Sequence, residues 1–126
     1  MIALERLAVA LQVAIVETPR LRDDKNAVYV HHRRIILMRP DLDHYTRRVA
    51  LAHELGHAYY GDEQPDDPRL ERRADQFAAR VLITPDEYAH AEVLHGPHDG
   101  AIAWELGVTP ELIVTWRDLY ERNLTP

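Results

Sequence analysis

Val49-Ala50-Leu51-Ala52-His53-Glu54-Leu55-Gly56-His57-Ala58-Tyr59-Tyr60 is the run of residues whose reading decides the fold. Apart from His53, Glu54 and His57 its members are apolar, aromatic or glycine, as expected of a helix buried on nearly every side. Residues four apart on a helix lie one turn apart on one face, so His53 and His57 present two imidazoles to one point, with Glu54 beside them. In this His-Glu-x-x-His spacing two histidines hold a zinc ion and the glutamate acts as a base. The plainer reading makes the histidines core residues bonded to backbone and Glu54 a half-exposed acid. Gly56 in mid-helix costs about 1 kcal/mol against alanine, which points to something large, such as a strand, passing close to that face.

A chain of 126 residues is long enough for one domain with a real core. It contains no cysteine, so a bound metal must rely on histidine and carboxylate ligands, and a cytoplasmic location is the natural expectation. A zinc held in that way is usually catalytic. The formal charge of -6 argues against a phosphate backbone as main partner, and no direct nucleic-acid binding is expected.

Upstream of the motif, residues 1–16 place Leu4, Leu7, Ala8, Leu11 and Ile15 at helical spacing, which predicts an amphipathic helix rather than a secretory signal. No run reaches the length of a membrane span. Ala27-Val28-Tyr29-Val30 and Ile35-Ile36-Leu37-Met38 read as a short hairpin around His31-His32-Arg33-Arg34. That hairpin serves either as a shelf for an extended substrate or as a cover for the core. His31 and His32 are read as turn residues, because neighbours on a strand point to opposite faces and cannot chelate together. Pro40 and the capping acids Asp41 and Asp43 precede a helix from His44 to about Tyr60.

Downstream, the acidic loop from Gly61 to Pro68 ends that helix, and the reversal brings a second helix, Arg69 to Ile83, back over the first. A third helix opens at Thr84-Pro85-Asp86-Glu87, and a helical pair follows: Ala101 to Leu106, a Gly107-Val108 turn, and Thr109-Pro110 through Arg122. The pair has the outline of a helix-turn-helix. Its last helix carries Glu111, Asp118 and Glu121 against Arg117 and Arg122, a poor surface for DNA, and Trp104 and Trp116 read as core or interface anchors.

A catalytic zinc keeps three protein ligands and one open position, so the chain must supply a third. A further histidine six residues after His57 is ruled out because Glu63 stands there. Glu63, Asp66 and Asp67 lie in a loop too close to the helix end to be held rigidly. Glu71 is the better candidate, on a helix that can pack against the motif. Asp75, one turn on, can accept a hydrogen bond from the non-ligating nitrogen of a histidine. The competing reading is a solvated face paired with Arg72, Arg73 and Arg80. For an oxyanion donor the candidates are Tyr59, Tyr60, Tyr88, His90, His95 and His98, with the 88–98 stretch favoured.

The motif, followed by Glu71-Arg72-Arg73-Ala74-Asp75-Gln76-Phe77-Ala78-Ala79 and Leu82-Ile83-Thr84-Pro85, resembles the ImmA/IrrE metallopeptidases of bacteria and phages. The resemblance extends from the hairpin to Leu106-Gly107-Val108-Thr109-Pro110. It implies a mainly helical α+β, gluzincin-like minimal domain, with a small sheet packed on the motif helix. It also implies zinc held by His53, His57 and Glu71, with Glu54 as base; the sequence leaves manganese open as the metal in its place. The substrate it implies is a helix-turn-helix repressor, whose cleavage relieves repression. The expected organisation is one domain over residues 1–126, with residues 1–98 as catalytic core and 99–126 as the C-terminal helical pair. Two alternatives remain at this point: a zinc-containing anti-repressor that binds without much turnover, and a small DNA-binding regulator.

Overall fold

The computed structural model describes residues 3–64 and 66–124, excepting the side chains of residues 122–124. Chain order gives α1 (Leu4–Ala10), β1 (Ala14–Glu17), β2 (Ala27–Val30), β3 (Ile35–Met38), α2 (His44–Tyr60), α3 (Pro68–Leu82), α4 (Pro85–His95), α5 (Asp99–Leu106) and α6 (Pro110–Leu124). This is a mainly helical α+β fold of the zincin-like kind.

The expected helix over residues 1–16 is only half present. α1 stops at Ala10 and the chain turns at Gln12, which takes a left-handed φ of 59°. Gln12 N–H donates to Val9 O at 3.0 Å and Val13 N–H to Ala8 O at 2.9 Å, the paired bonds that close a helix C-terminus. Beyond the turn the β-branched Ile15 and Val16 extend, and β1 pairs in parallel with β3, Ile15 opposite Ile36. The expected hairpin is present, with β2 antiparallel to β3 and Tyr29 opposite Ile36. The sheet order β1-β3-β2 leaves β2 as the edge that faces α2.

α2 lies at the centre, packed on α1, β2, β3 and α3. Asp43 caps it by accepting from Thr46 N–H at 2.9 Å. Leu51, Leu55 and Ala58 enter one hydrophobic cluster with Ile36 and Met38 of the sheet and Ala78, Ala79 and Leu82 of α3. Burial is confined to the middle of α2, since Tyr59 and Tyr60 are exposed. Asp67 caps α3 from the far side of the loop, with Pro68 at its first position.

What crowds Gly56 is α3 rather than a strand. A Cβ there would meet Phe77 Cβ at 3.1 Å and Ala74 Cα at 3.2 Å, so the missing side chain lets the two helices approach.

The C-terminal pair is fastened to this body. Trp116 is buried, donates its indole N–H to Ile83 O at 3.1 Å and stacks on Tyr88. Trp104 is exposed. Arg117 donates to Asp99 at 2.7 Å and to the Tyr88 hydroxyl, and its hydrogen bond holds the Asp99 carboxyl below the usual range.

Candidate metal centre and active-site cleft

α2 sets His53 and His57 edge to face, with ring centroids 4.8 Å apart and their Nε2 atoms 3.2 Å apart. Glu71, in the first turn of α3, brings one carboxylate oxygen to 3.5 Å from His53 Nε2 and puts the other in close contact with His57 Nε2. These three residues together form a group that could hold one metal ion.

The remaining ring nitrogens decide what such an ion would meet. His53 Nδ1 lies 2.7 Å from Asp75 Oδ1, and His57 Nδ1 lies 2.9 Å from Asp62 Oδ2. A carboxylate only accepts, so each Nδ1 carries a proton, which leaves Nε2 of each ring as the nitrogen turned towards the other imidazole and towards Glu71. Two ring nitrogens and a carboxylate then converge on one place. A single cation could meet all three groups at once. Ligands on a tetrahedral zinc stand about 3.3 Å from one another. The 3.2 Å between the two Nε2 atoms fits that spacing, while each histidine meets a different oxygen of Glu71.

Asp62 was not singled out from the sequence. Its position follows from the stop of α2. Gly61 takes a left-handed φ of 67°, and the turn lets Asp62 N–H bond His57 O at 2.9 Å. The same reversal returns the Asp62 side chain to His57, while Arg73 of α3 holds its second oxygen at 2.6 Å and stacks over Tyr60. A glycine closing a ligand-bearing helix, followed at once by a carboxylate, is the signal that would have found it.

Glu54 stands between the imidazole cluster and the sheet. Its Oε1 accepts from Tyr29 N–H on β2 at 2.8 Å, and its Oε2 stands 3.8 Å from His53 Nε2. Burial raises its pKa above the ordinary carboxylate value, against the opposing pull of His53, His57 and the Tyr29 amide. For His53 burial acts downward, but the Asp75 hydrogen bond and the charges of Glu54, Asp75 and Glu71 outweigh it and the net shift is upward.

Glu54, His57 and Glu71 open onto a cleft of about 540 Å³ whose opposite wall is β2. Lys25 and Asp66 join the two lips at 2.7 Å. Of the six residues considered as oxyanion donors, none lines this cleft. Tyr88 is engaged by Arg117 and Glu92, His95 pairs with Glu105, and Tyr59 and Tyr60 pack on Phe77. The favoured 88–98 stretch therefore lies elsewhere, because α4 packs against the C-terminal pair.

With this geometry in view, the chain matches the IrrE N-terminal-like domain of peptidase family M78 over residues 10–115. It belongs to the ImmA/IrrE family. Membership makes it a metallopeptidase-type hydrolase acting on protein substrates. The matched span takes in the three strands, the motif helix and the helix bearing Glu71, the elements that frame an ImmA/IrrE cleft here. No curated protein gives a match to the chain. Among the described residues, no helix is long and apolar enough to cross a membrane.

Proposed function

We propose that this protein is a zinc-dependent endopeptidase of the cytoplasm, which hydrolyses a peptide bond in a helix-turn-helix repressor and so relieves repression. The observation that carries the metal reading is the convergence of two Nε2 atoms and the Glu71 carboxylate, with both Nδ1 atoms already committed to Asp62 and Asp75. His53, His57 and Glu71 are the ligands in this reading, and Asp75 fixes the tautomer of His53. A bound zinc or manganese ion would supply Lewis acidity and lower the pKa of water towards about 7.

The chain's own residues do the rest. Glu54, steadied by the Tyr29 amide, takes the proton of the attacking water and returns it to the leaving amine. The edge of β2 accepts an extended substrate segment through main-chain hydrogen bonds, as the shelf reading of the hairpin requires. Residues 1–98 carry the chemistry within a single domain, and 99–126 brace it. The repressor as substrate rests on the family resemblance.

The test mixes the protein with any small helix-turn-helix repressor found to be encoded beside it. A new fragment is expected with zinc and none after chelation. Glu54→Gln should lower cleavage by about 10²–10⁴ while zinc and repressor remain bound. No fragment under any metal would sink the peptidase reading, and relief of repression that survives Glu54→Gln would establish an anti-repressor acting by binding alone.

A further inference from the structure

As a peptide carbon becomes tetrahedral its oxygen gains charge, and hydrolysis needs a donor placed for that oxygen. His31 lines the same cleft as Glu54, His57 and Glu71. Its ring is fixed from behind. Arg34 Nη1 donates to the Tyr29 hydroxyl at 2.6 Å, and that hydroxyl lies 2.7 Å from His31 Nδ1. A guanidinium only donates, so the Tyr29 oxygen accepts from Arg34, and its own proton goes to the acceptor on its other side. Among the described residues that acceptor is His31 Nδ1. The neutral imidazole therefore carries its proton on Nε2.

The relay is anchored at both ends. Arg34 takes a left-handed φ of 50° and also donates to Ala58 O of α2 at 3.2 Å and to Leu11 O after α1. Tyr29 holds Glu54 with its amide and His31 with its hydroxyl, so one residue of β2 sets both groups. The His31 ring lies against Gly61, one turn beyond His57, where an added Cβ would stand 3.5 Å from its Cε1. Nε2 has Glu63 Oε1 at 3.8 Å, beyond hydrogen-bond reach, on a side chain 74% exposed. The result is a donor of fixed tautomer, held at the cleft with no hydrogen-bond partner on Nε2 among the described residues.

We propose that His31 Nε2–H donates to the oxyanion formed during peptide hydrolysis, with Tyr29 and Arg34 as positioning residues; this rests on the peptidase reading above. As the water oxygen bonds to the carbonyl carbon, its proton passes to Glu54 and the carbonyl π pair moves onto oxygen. His31 stabilises that oxygen without giving up its proton. When the C–N bond breaks, the pair returns to re-form the carbonyl and the proton on Glu54 goes to the amine.

The test compares wild type, His31→Leu and Tyr29→Phe, each loaded with zinc, for repressor cleavage, zinc affinity, melting temperature and binding of N-phosphoryl-leucyl-tryptophan. The tetrahedral phosphoryl group of that dipeptide imitates the oxyanion. His31→Leu should lower kcat by about 10²–10³ and weaken the phosphoryl dipeptide by a similar factor, with KM and zinc affinity unchanged. Nitrogen-15 spectra should show the wild-type ring protonated on Nε2, and Tyr29→Phe should erase that preference and lower kcat by less. Undiminished kcat in His31→Leu, an Nδ1–H tautomer in the wild type, or zinc lost in step with activity would overturn the assignment. If the wild type cleaves no repressor, the substrate proposed above falls, and His31 is judged by the phosphoryl dipeptide: equal binding to wild type and His31→Leu rejects it, and weaker binding to the variant upholds it.

Discussion

Asp62 is the most enclosed acid of the site, with its side chain 6% exposed against 53% for Asp75 and 36% for Glu71. Both of its oxygens are engaged, one by His57 Nδ1–H and the other by Arg73. An asparagine in its place keeps the shape but must turn an NH₂ group towards one of two donors, Arg73 or His57. Asp62→Asn should therefore weaken zinc binding by about 10–100-fold, and Asp75→Asn, open to water, by less. Competition against a chromophoric chelator measures both, and wild-type affinity in Asp62→Asn would refute the asymmetry. The two acids also show what a sequence reveals at this scale. Asp75 was legible because helical periodicity places it one turn from Glu71. Asp62 was not, because its direction is set by a backbone turn, and a left-handed glycine fixes a side chain's aim without leaving any periodic trace.

Between elements, the decisive contact is α2 against α3, and Gly56 sits at its closest point. Alanine there would gain about 1 kcal/mol of helix propensity. The gain is outweighed, because the atoms it meets are the Cα of Ala74 and the Cβ of Phe77, which move only if α3 moves. Overpacking of that kind costs about 1–3 kcal/mol. Gly56→Ala should thus be destabilising on balance in a denaturant melt, and it should weaken zinc binding as well, since α3 carries Glu71 and Asp75 away from α2 as it shifts. A variant more stable than wild type with unaltered zinc affinity would show that the helices have slack. The glycine announced a close neighbour in the sequence but not its kind, because a mid-helix glycine reports only that space is scarce. The six helices were legible from apolar spacing and caps, although the first ended early. β1 was hidden for a related reason: Gln12 in a left-handed turn ends α1 without glycine, asparagine or proline, so the apolar spacing ran on into Ile15.

At the scale of the whole molecule, the centre concentrates charge that the fold alone does not balance. The chain carries a formal charge of -6, and Glu54, Asp62, Glu71 and Asp75 surround two imidazoles with Arg73, among the described residues, as the one guanidinium paired to them. Ligands from α2 and α3 exist in register only when those helices are packed, so an ion held by His53, His57 and Glu71 binds the folded chain far better than the unfolded one. Linkage then turns affinity into stability: free zinc at a thousand times its dissociation constant adds about 4.1 kcal/mol. For a domain of this size each kcal/mol raises Tm by several degrees, so the melting temperature should climb by roughly 15 °C between chelated and zinc-saturated protein. His53→Ala should melt at nearly one temperature in both conditions, because it removes a ligand, whereas Glu54→Gln should keep the full rise, because Glu54 faces Tyr29 and acts on protons. Calorimetry across a zinc titration decides it. A rise of the same size in His53→Ala would mean that zinc stabilises the chain somewhere other than between α2 and α3, and the ligand set proposed here would have to be abandoned.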